Sequence, residues 1–196
     1  IVIFHVQVPP HASKINTPDI RGGEQANIDY LGLLELNIKI ALWSEPRARV
    51  IVLTDREFGQ NIEQRERVHI VRLDLNQTEP MFERVLTMAS YVRSLTFFRP
   101  ALFLDIDAFL IRPISLLFNS KFDVGLTHRH IVGQMPINEG VIFANIVNKV
   151  SVKKFFDSYL ASYLLAEQSE EVAKIYQNIR RWRGGQLAIK SATGGF

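Results

Sequence analysis

The 196-residue chain contains no cysteine. This excludes a disulfide scaffold, a thiol nucleophile and any cysteine-ligated zinc or iron–sulfur site. Long apolar runs are also missing. Charges or prolines interrupt every candidate before it reaches the roughly 20 residues that a membrane helix needs. Neither sign of charge dominates: the net charge is +3 with 22% of residues charged. That mild basic balance fits phosphorylated ligands, and it is too small and scattered for a nucleic-acid surface. Three glycine-marked motifs are absent as well. Without Gly-x-x-x-x-Gly-Lys there is no phosphate loop, without Gly-x-Gly-x-x-Gly no dinucleotide fold, and without Gly-x-Ser-x-Gly no serine nucleophile elbow.

What is present is apolar residue in quantity, 47% of the chain, spread along its whole length. Extended disorder is thereby excluded, and the length is that of one ordinary domain. No internal repeat, low-complexity tract or interdomain linker interrupts it, so a single domain over residues 1–196 is expected. The chain opens on Ile1, inside the apolar run IVIFHVQV, and closes on SATGGF. Both ends read as cuts within a longer polypeptide. The start has no basic region or small-residue cleavage site, so it is not a signal peptide. With the lack of cysteine, this fits a cytoplasmic protein.

Hydrophobic periodicity orders the elements. Residues 1–8 read as a buried strand, followed by a long polar loop through Asn27. Residues 28–43 predict a helix with Ile28, Leu31, Glu35, Ile38 and Leu42 on one stripe, ended by Pro46. Strands are expected at 49–55 and 68–73, with a short charged helix at 57–67 between them. Pro80 suits the first turn of a helix whose stripe is Met81, Val85, Met88, Val92 and Leu95. A fourth strand is expected at 101–107, two more at 122–126 and 137–146, and helices after Ser151 and Ser169. Phe155, Phe156, Tyr159 and Tyr163 are spaced as a core stripe. Strands of this apolar kind, alternating with helices, indicate a mainly parallel sheet covered on both faces, an α/β three-layer fold. Ligands bind such sheets outside the carboxyl ends of the strands.

The strand ends therefore carry the chemistry. Asp105 and Asp107 close a wholly apolar run, where an uncompensated charge is expensive. Two residues apart on a strand, they would point to the same side. A hard divalent cation carrying a phosphorylated substrate would compensate them. The plainer alternative is that one caps the next turn while the other pairs with Arg99 or Arg112. A haloacid-dehalogenase-like phosphatase would also place two aspartates at a strand end, but on its first strand and with a downstream acidic pair for the metal. Here three strands precede the doublet, and the later aspartates are only Asp123 and Asp157.

Several stretches in order resemble nucleotide-sugar-dependent glycosyltransferases of the GT-A fold. LFLDIDAFLIRPISLLF is similar to that family's Asp-x-Asp strand and following loop. FDVGLTHR at 122–129 resembles its next strand, and MPINEGVIFAN at 135–145 resembles the strand bearing an Asn-Gly-Gly-type turn. RWRGGQLAI at 181–189 resembles the Trp-Gly-Asp-Gln element. The resemblance implies a Rossmann-like GT-A domain and a hexosyltransferase-like enzyme. Its donor would be a nucleoside-diphosphate sugar, UDP being the commonest nucleotide, and its acceptor a carbohydrate or other hydroxyl. It implies Mn²⁺ or Mg²⁺ on Asp105 and Asp107, the metal acting on the departing diphosphate. Asp55 would meet the nucleoside, Arg93 and Arg129 the diphosphate or sugar, Asn138 and Gly140 the sugar, and Gln186 the acceptor side.

Two positions depart from the pattern. Glu139 stands where a second glycine is usual, and Gly185 stands where an acidic residue is usual. Glu139 is the candidate to replace that carboxylate as a catalytic group. Two alternatives stay open: a metal-dependent phosphotransfer or sugar-phosphate nucleotidyltransferase enzyme, and a degenerate domain that binds a nucleotide sugar without turnover. Among the remaining polar residues, His128 and His130 are read as loop residues, His5 and His69 as core or edge histidines. The Arg180-Arg181-Trp182-Arg183 run is read as complementing a helix dipole or an anionic substrate.

Overall fold

The computed structural model describes residues 1–8, 28–128, 137–165, 188–190 and 192–193. Within these, β1 (Val2–His5), β2 (Val50–Asp55), β3 (Val68–Leu73), β4 (Ala101–Leu104), β5 (Val124–His128) and β6 (Ile137–Ala144) form one sheet, ordered β3-β2-β1-β4-β6-β5. The first four in that order are parallel. β6 runs antiparallel to β4, and β5 antiparallel to β6.

Strict alternation builds the three layers. Val2, Phe4, Ala101 and Phe103 point to one face, where α3 (Pro80–Arg93) and α4 (Lys149–Leu165) cover them. Ile3, Leu102 and Leu104 point to the other, where α1 (Tyr30–Ser44) and the short α2 (Arg56–Gly59) pack. β1 and β4 are buried at every position, as strands covered on both faces must be. The chain runs outward from β1 to β2 and β3, then returns to place β4 on the other side of β1. That reversal makes the carboxyl ends of β1 and β4 the topological switch point of the sheet, where ligands bind such folds. Among the described residues no helix is long and apolar enough to cross a membrane.

Several expected boundaries move. Asp29 caps α1 by accepting the Gly32 N–H at 2.8 Å, so Ile28 stays outside the helix and exposed. The buried stripe of α1 is Leu34, Asn37, Ile38, Ala41 and Ser44, rotated from the predicted one. α3 stops at Arg93, which leaves Leu95 98% exposed rather than in the core. The expected helix at 57–67 is only the four-residue α2. Asn148, rather than Ser151, caps α4, its side chain accepting the Ser151 N–H at 3.1 Å. The helix expected after Ser169 lies outside the described residues.

Candidate functional site

The site is built at the end of β4. Phe103 faces α3 and Leu104 faces α1, so the next side chain, Asp105, returns to the α3 side. There it meets Arg84, whose Nη2 lies 2.9 Å from Asp105 Oδ1. The strand itself ends at Leu104, not at Asp107. Residues 105–108 form a tight turn in which Ala108 N–H donates to the Asp105 carbonyl at 3.0 Å. Asn37, buried on α1, gathers this turn: its Nδ2 reaches the carbonyls of Asp105 at 3.2 Å, Ile106 at 2.9 Å and Ala108 at 3.0 Å. The two aspartates are thus neighbours through a turn and not through strand alternation.

Asp105 is half-buried and Asp107 exposed. Partial desolvation of the Asp107 carboxyl, and then the nearby charge of Asp105, raise its proton affinity above the usual aspartate range. Two carboxylates that repel one another at a strand end form an oxygen-rich, hard donor pair. Among the described residues no group of three His, Asp or Glu side chains forms a ready-made metal cage.

Gly140 backs Asp105. Its carbonyl accepts the Asp105 N–H at 2.9 Å, and its own N–H donates to Asn138 Oδ1 at 3.1 Å. A Cβ at Gly140 would lie 2.7 Å from Asp105 Oδ2, so glycine here permits a close approach. Asn138 and Gly140 are therefore brought together with Asp105.

Glu139, the candidate catalytic group, is enclosed between β6, α3 and α4. It is 4% exposed, accepts the Tyr159 hydroxyl at 2.6 Å, and lies 3.5 Å from Arg84 Nη1. The reason is a bulge. Leu126 pairs with Ile142 but the next residue, Thr127, pairs with Asn138, so residues 139–141 leave the ladder with β5. Ile137 and Ile142, an odd number of residues apart, both face the α3–α4 core. The phase shift sends Glu139 to that face as well.

Arg84 is the centre of the arrangement and no sequence reading named it. Its side chain is 4% exposed, and Nη2 also donates to the Glu139 main-chain carbonyl at 2.6 Å. Burial alone would lower its proton affinity, but Asp105 and then Glu139 outweigh that, and the guanidinium is held firmly protonated. Burial, and then the charge of Glu139, keep the Tyr159 phenol protonated and donating. A signal was available: Arg84 falls on the apolar stripe of its helix, three residues after Met81 and four before Met88.

The other candidates scatter. Asp55, 3% exposed, ends β2 and accepts the N–H groups of Gln7 at 2.7 Å and Phe58 at 2.8 Å. It joins the ends of β1 and β2 and caps α2. Arg93 is not brought to the site. It sits at the far end of α3 from Arg84 and pairs with Asp157 at 2.6 Å on the surface, nine residues or about 13 Å along the helix. Arg129 and Gln186 lie outside the described residues, with His130, Gly184, Gly185 and the 180–183 basic run. A wide apolar cleft of about 1220 Å³, lined by Ile51, Leu53, Val71, Leu86, Tyr91 and Phe98 among others, includes none of Arg84, Asp105, Asp107 and Glu139.

Solved structures with this arrangement of strands and helices are known. The galactosyltransferase LgtC, in complex with donor and acceptor sugar analogues, superimposes with a TM-score of 0.52 at 13% identity, over 100% of this chain and 72% of that one. An active-site mutant of LgtC gives 0.53 at 13% identity, over 95% and 69%. The chain has a GT-A-like fold. At that identity the likeness concerns the GT-A architecture alone. No family model and no curated protein matches the sequence.

Proposed function

We propose that this chain is a metal-dependent glycosyltransferase that moves a sugar from a nucleoside-diphosphate donor, UDP first among nucleotides, to a hydroxyl acceptor. The observation that carries the reading is the Asp105–Asp107 turn, standing at the end of β4 at the β1–β4 switch point and braced by Arg84. Two adjacent carboxylates fit Mg²⁺ or Mn²⁺, which take one or two carboxylates and complete their shell with water and substrate phosphate. A three-residue cage is not needed. Asp105 and Asp107 would hold the ion, which when bound supplies neutralisation of the charge on the departing diphosphate.

The chain's own residues do the rest. Asn37 fixes the turn, so that Asp105 and Asp107 are presented without the entropy of a free loop. Gly140 and Asn138 border the donor sugar, and the absence of a side chain at Gly140 leaves room for the Asp105 carboxylate beside them. Asp55 shapes the nucleoside side by tying the backbone after β1 to the start of α2. Arg129 is assigned to the diphosphate or sugar, and Gln186 to the acceptor.

The test is calorimetric titration of UDP with and without Mn²⁺, on the wild type and on Asp107→Asn. Metal-dependent binding that the substitution abolishes, with the circular dichroism unchanged, supports the reading. Equal UDP affinity in both proteins with metal present sinks it. Gly185, standing where an acidic residue is usual in the resembled family, favours a second reading: a nucleotide-sugar-binding domain without turnover. Donor binding without donor hydrolysis or transfer would select it.

A further inference from the structure

Behind Asp105 lies an ion cluster that the donor reading leaves unused. Arg84 stands between two carboxylates, Asp105 at 2.9 Å and Glu139 at 3.5 Å, with side-chain exposures of 34% and 5%. Asp105 can face a ligand; Glu139 cannot. Tyr159 fixes the Glu139 carboxylate from the α4 side at 2.6 Å.

The guanidinium does not need that carboxylate to stay in place. Its Nη2 already donates to the Glu139 main-chain carbonyl at 2.6 Å and reaches Asp105 at 2.9 Å. What the carboxylate adds is charge. A buried cation is compensated by whichever anions it reaches. Were Asp105 the main anion facing Arg84, the pair would be close to neutral, and Asp105 would attract a second cation weakly.

We propose that Glu139 is a positioning residue which, as the buried counter-ion of Arg84, leaves on Asp105 the negative charge that holds the divalent cation. This rests on the metal-dependent donor reading above. It gives a role to the residue that departs from the resembled family's turn, and the role acts through Arg84 rather than on the sugar.

The experiment measures the Mn²⁺ dissociation constant at saturating UDP, from the electron paramagnetic resonance of free Mn²⁺. Wild type is measured first, and absence of binding there means that the donor reading itself has failed. Given wild-type binding, Glu139→Gln is expected to weaken Mn²⁺ by about 10- to 100-fold, the usual range for a group supporting a metal ligand. The double variant Arg84→Gln with Glu139→Gln removes the opposed charges together and is expected to recover wild-type affinity to within about twofold. A merely structural Glu139 would leave the double variant at least as impaired as the single. Wild-type affinity in Glu139→Gln overturns the inference and leaves the donor reading intact. If the single variant fails to fold, the double variant decides by itself: near-wild-type binding supports the inference and lost binding overturns it. Failure of both to fold makes the carboxylate structural and likewise overturns it.

Discussion

Replacing Gly140 by alanine tests the geometry of the site with a single methyl group. The added Cβ would lie 2.7 Å from Asp105 Oδ2 and 3.3 Å from Asp105 Cγ, well inside van der Waals contact. Neither partner can yield easily. The Gly140 backbone is held on both sides, by Asp105 N–H at 2.9 Å and Asn138 Oδ1 at 3.1 Å. The Asp105 carboxylate is held by Arg84 at 2.9 Å. If the carboxylate keeps its place, overpacking costs about 1–3 kcal/mol of stability. If it swings out, the ion pair is lost, and a misplacement of about 1 Å at a reacting centre costs on the order of 100-fold in function. Gly32→Ala is the control. Its Cβ would also crowd a carboxylate, that of Asp29, and displacing it opens the α1 cap at a cost of about 0.5–2 kcal/mol. Alanine within a helix regains up to about 1 kcal/mol of propensity, so that variant loses at most about 1–2 kcal/mol of stability and keeps wild-type UDP affinity, the clash lying away from Asp105. Urea unfolding and Mn²⁺-dependent UDP titration of the two variants provide the comparison. The reasoning is refuted if Gly140→Ala matches wild type in both assays.

Removing the guanidinium by Arg84→Met strands the buried Glu139 carboxylate and should destabilise by about 3–5 kcal/mol, with much of the loss regained on adding Glu139→Gln; urea midpoints of the single and double variants decide. His5 supplies a pH dependence. Packed against Phe58 at 4.3 Å and Tyr30 at 5.1 Å, its imidazole is lowered from 6.5 to about 4, chiefly by burial and against the opposing pull of Asp55. The unfolded chain therefore takes up the proton first. Stability from this group is complete above pH 6.5 and falls between 6.5 and about 4, by about 3 kcal/mol in all. The stability difference between wild type and His5→Phe should narrow or widen by that amount between pH 7 and pH 4; parallel curves would contradict the assignment.

Much of the fold was legible because burial on both faces leaves a plain mark. β1, β2 and β4 were legible to within a few residues from their apolar runs, and β3 to the residue although it stands at the end of the strand order, carries His69 and Arg72 and is only partly buried. The Asp-x-Asp doublet was legible for a second reason, since charge at the end of such a run stands out, whereas Asn138 and Gly140 come forward only through the resemblance of their turn to that of the GT-A glycosyltransferases. The error at β4 shows where local reading stops. Nothing in Asp105-Ile106-Asp107 says that Asn37, 68 residues away from Asp105, will take three of the turn's carbonyls and end the strand. Arg93 and Arg84 make the same point as a pair. Both are arginines in one helix, and only the helix's direction against the sheet decides which of them reaches the strand ends.

By itself, the sequence determined the α/β layering, the mainly parallel sheet and the position of the acidic doublet at a strand end. Each follows from side-chain periodicity and burial, which are properties of short segments. The tertiary structure alone decided the network behind that doublet. Glu139 belongs by simple alternation to one face of β6, and a bulge set by pairing with β5 moves it to the other. There it meets Arg84 from α3 and Tyr159 from α4. Three residues from three elements, none of them neighbours in the chain, share one buried charge balance, and only packing brings such charges within reach of one another.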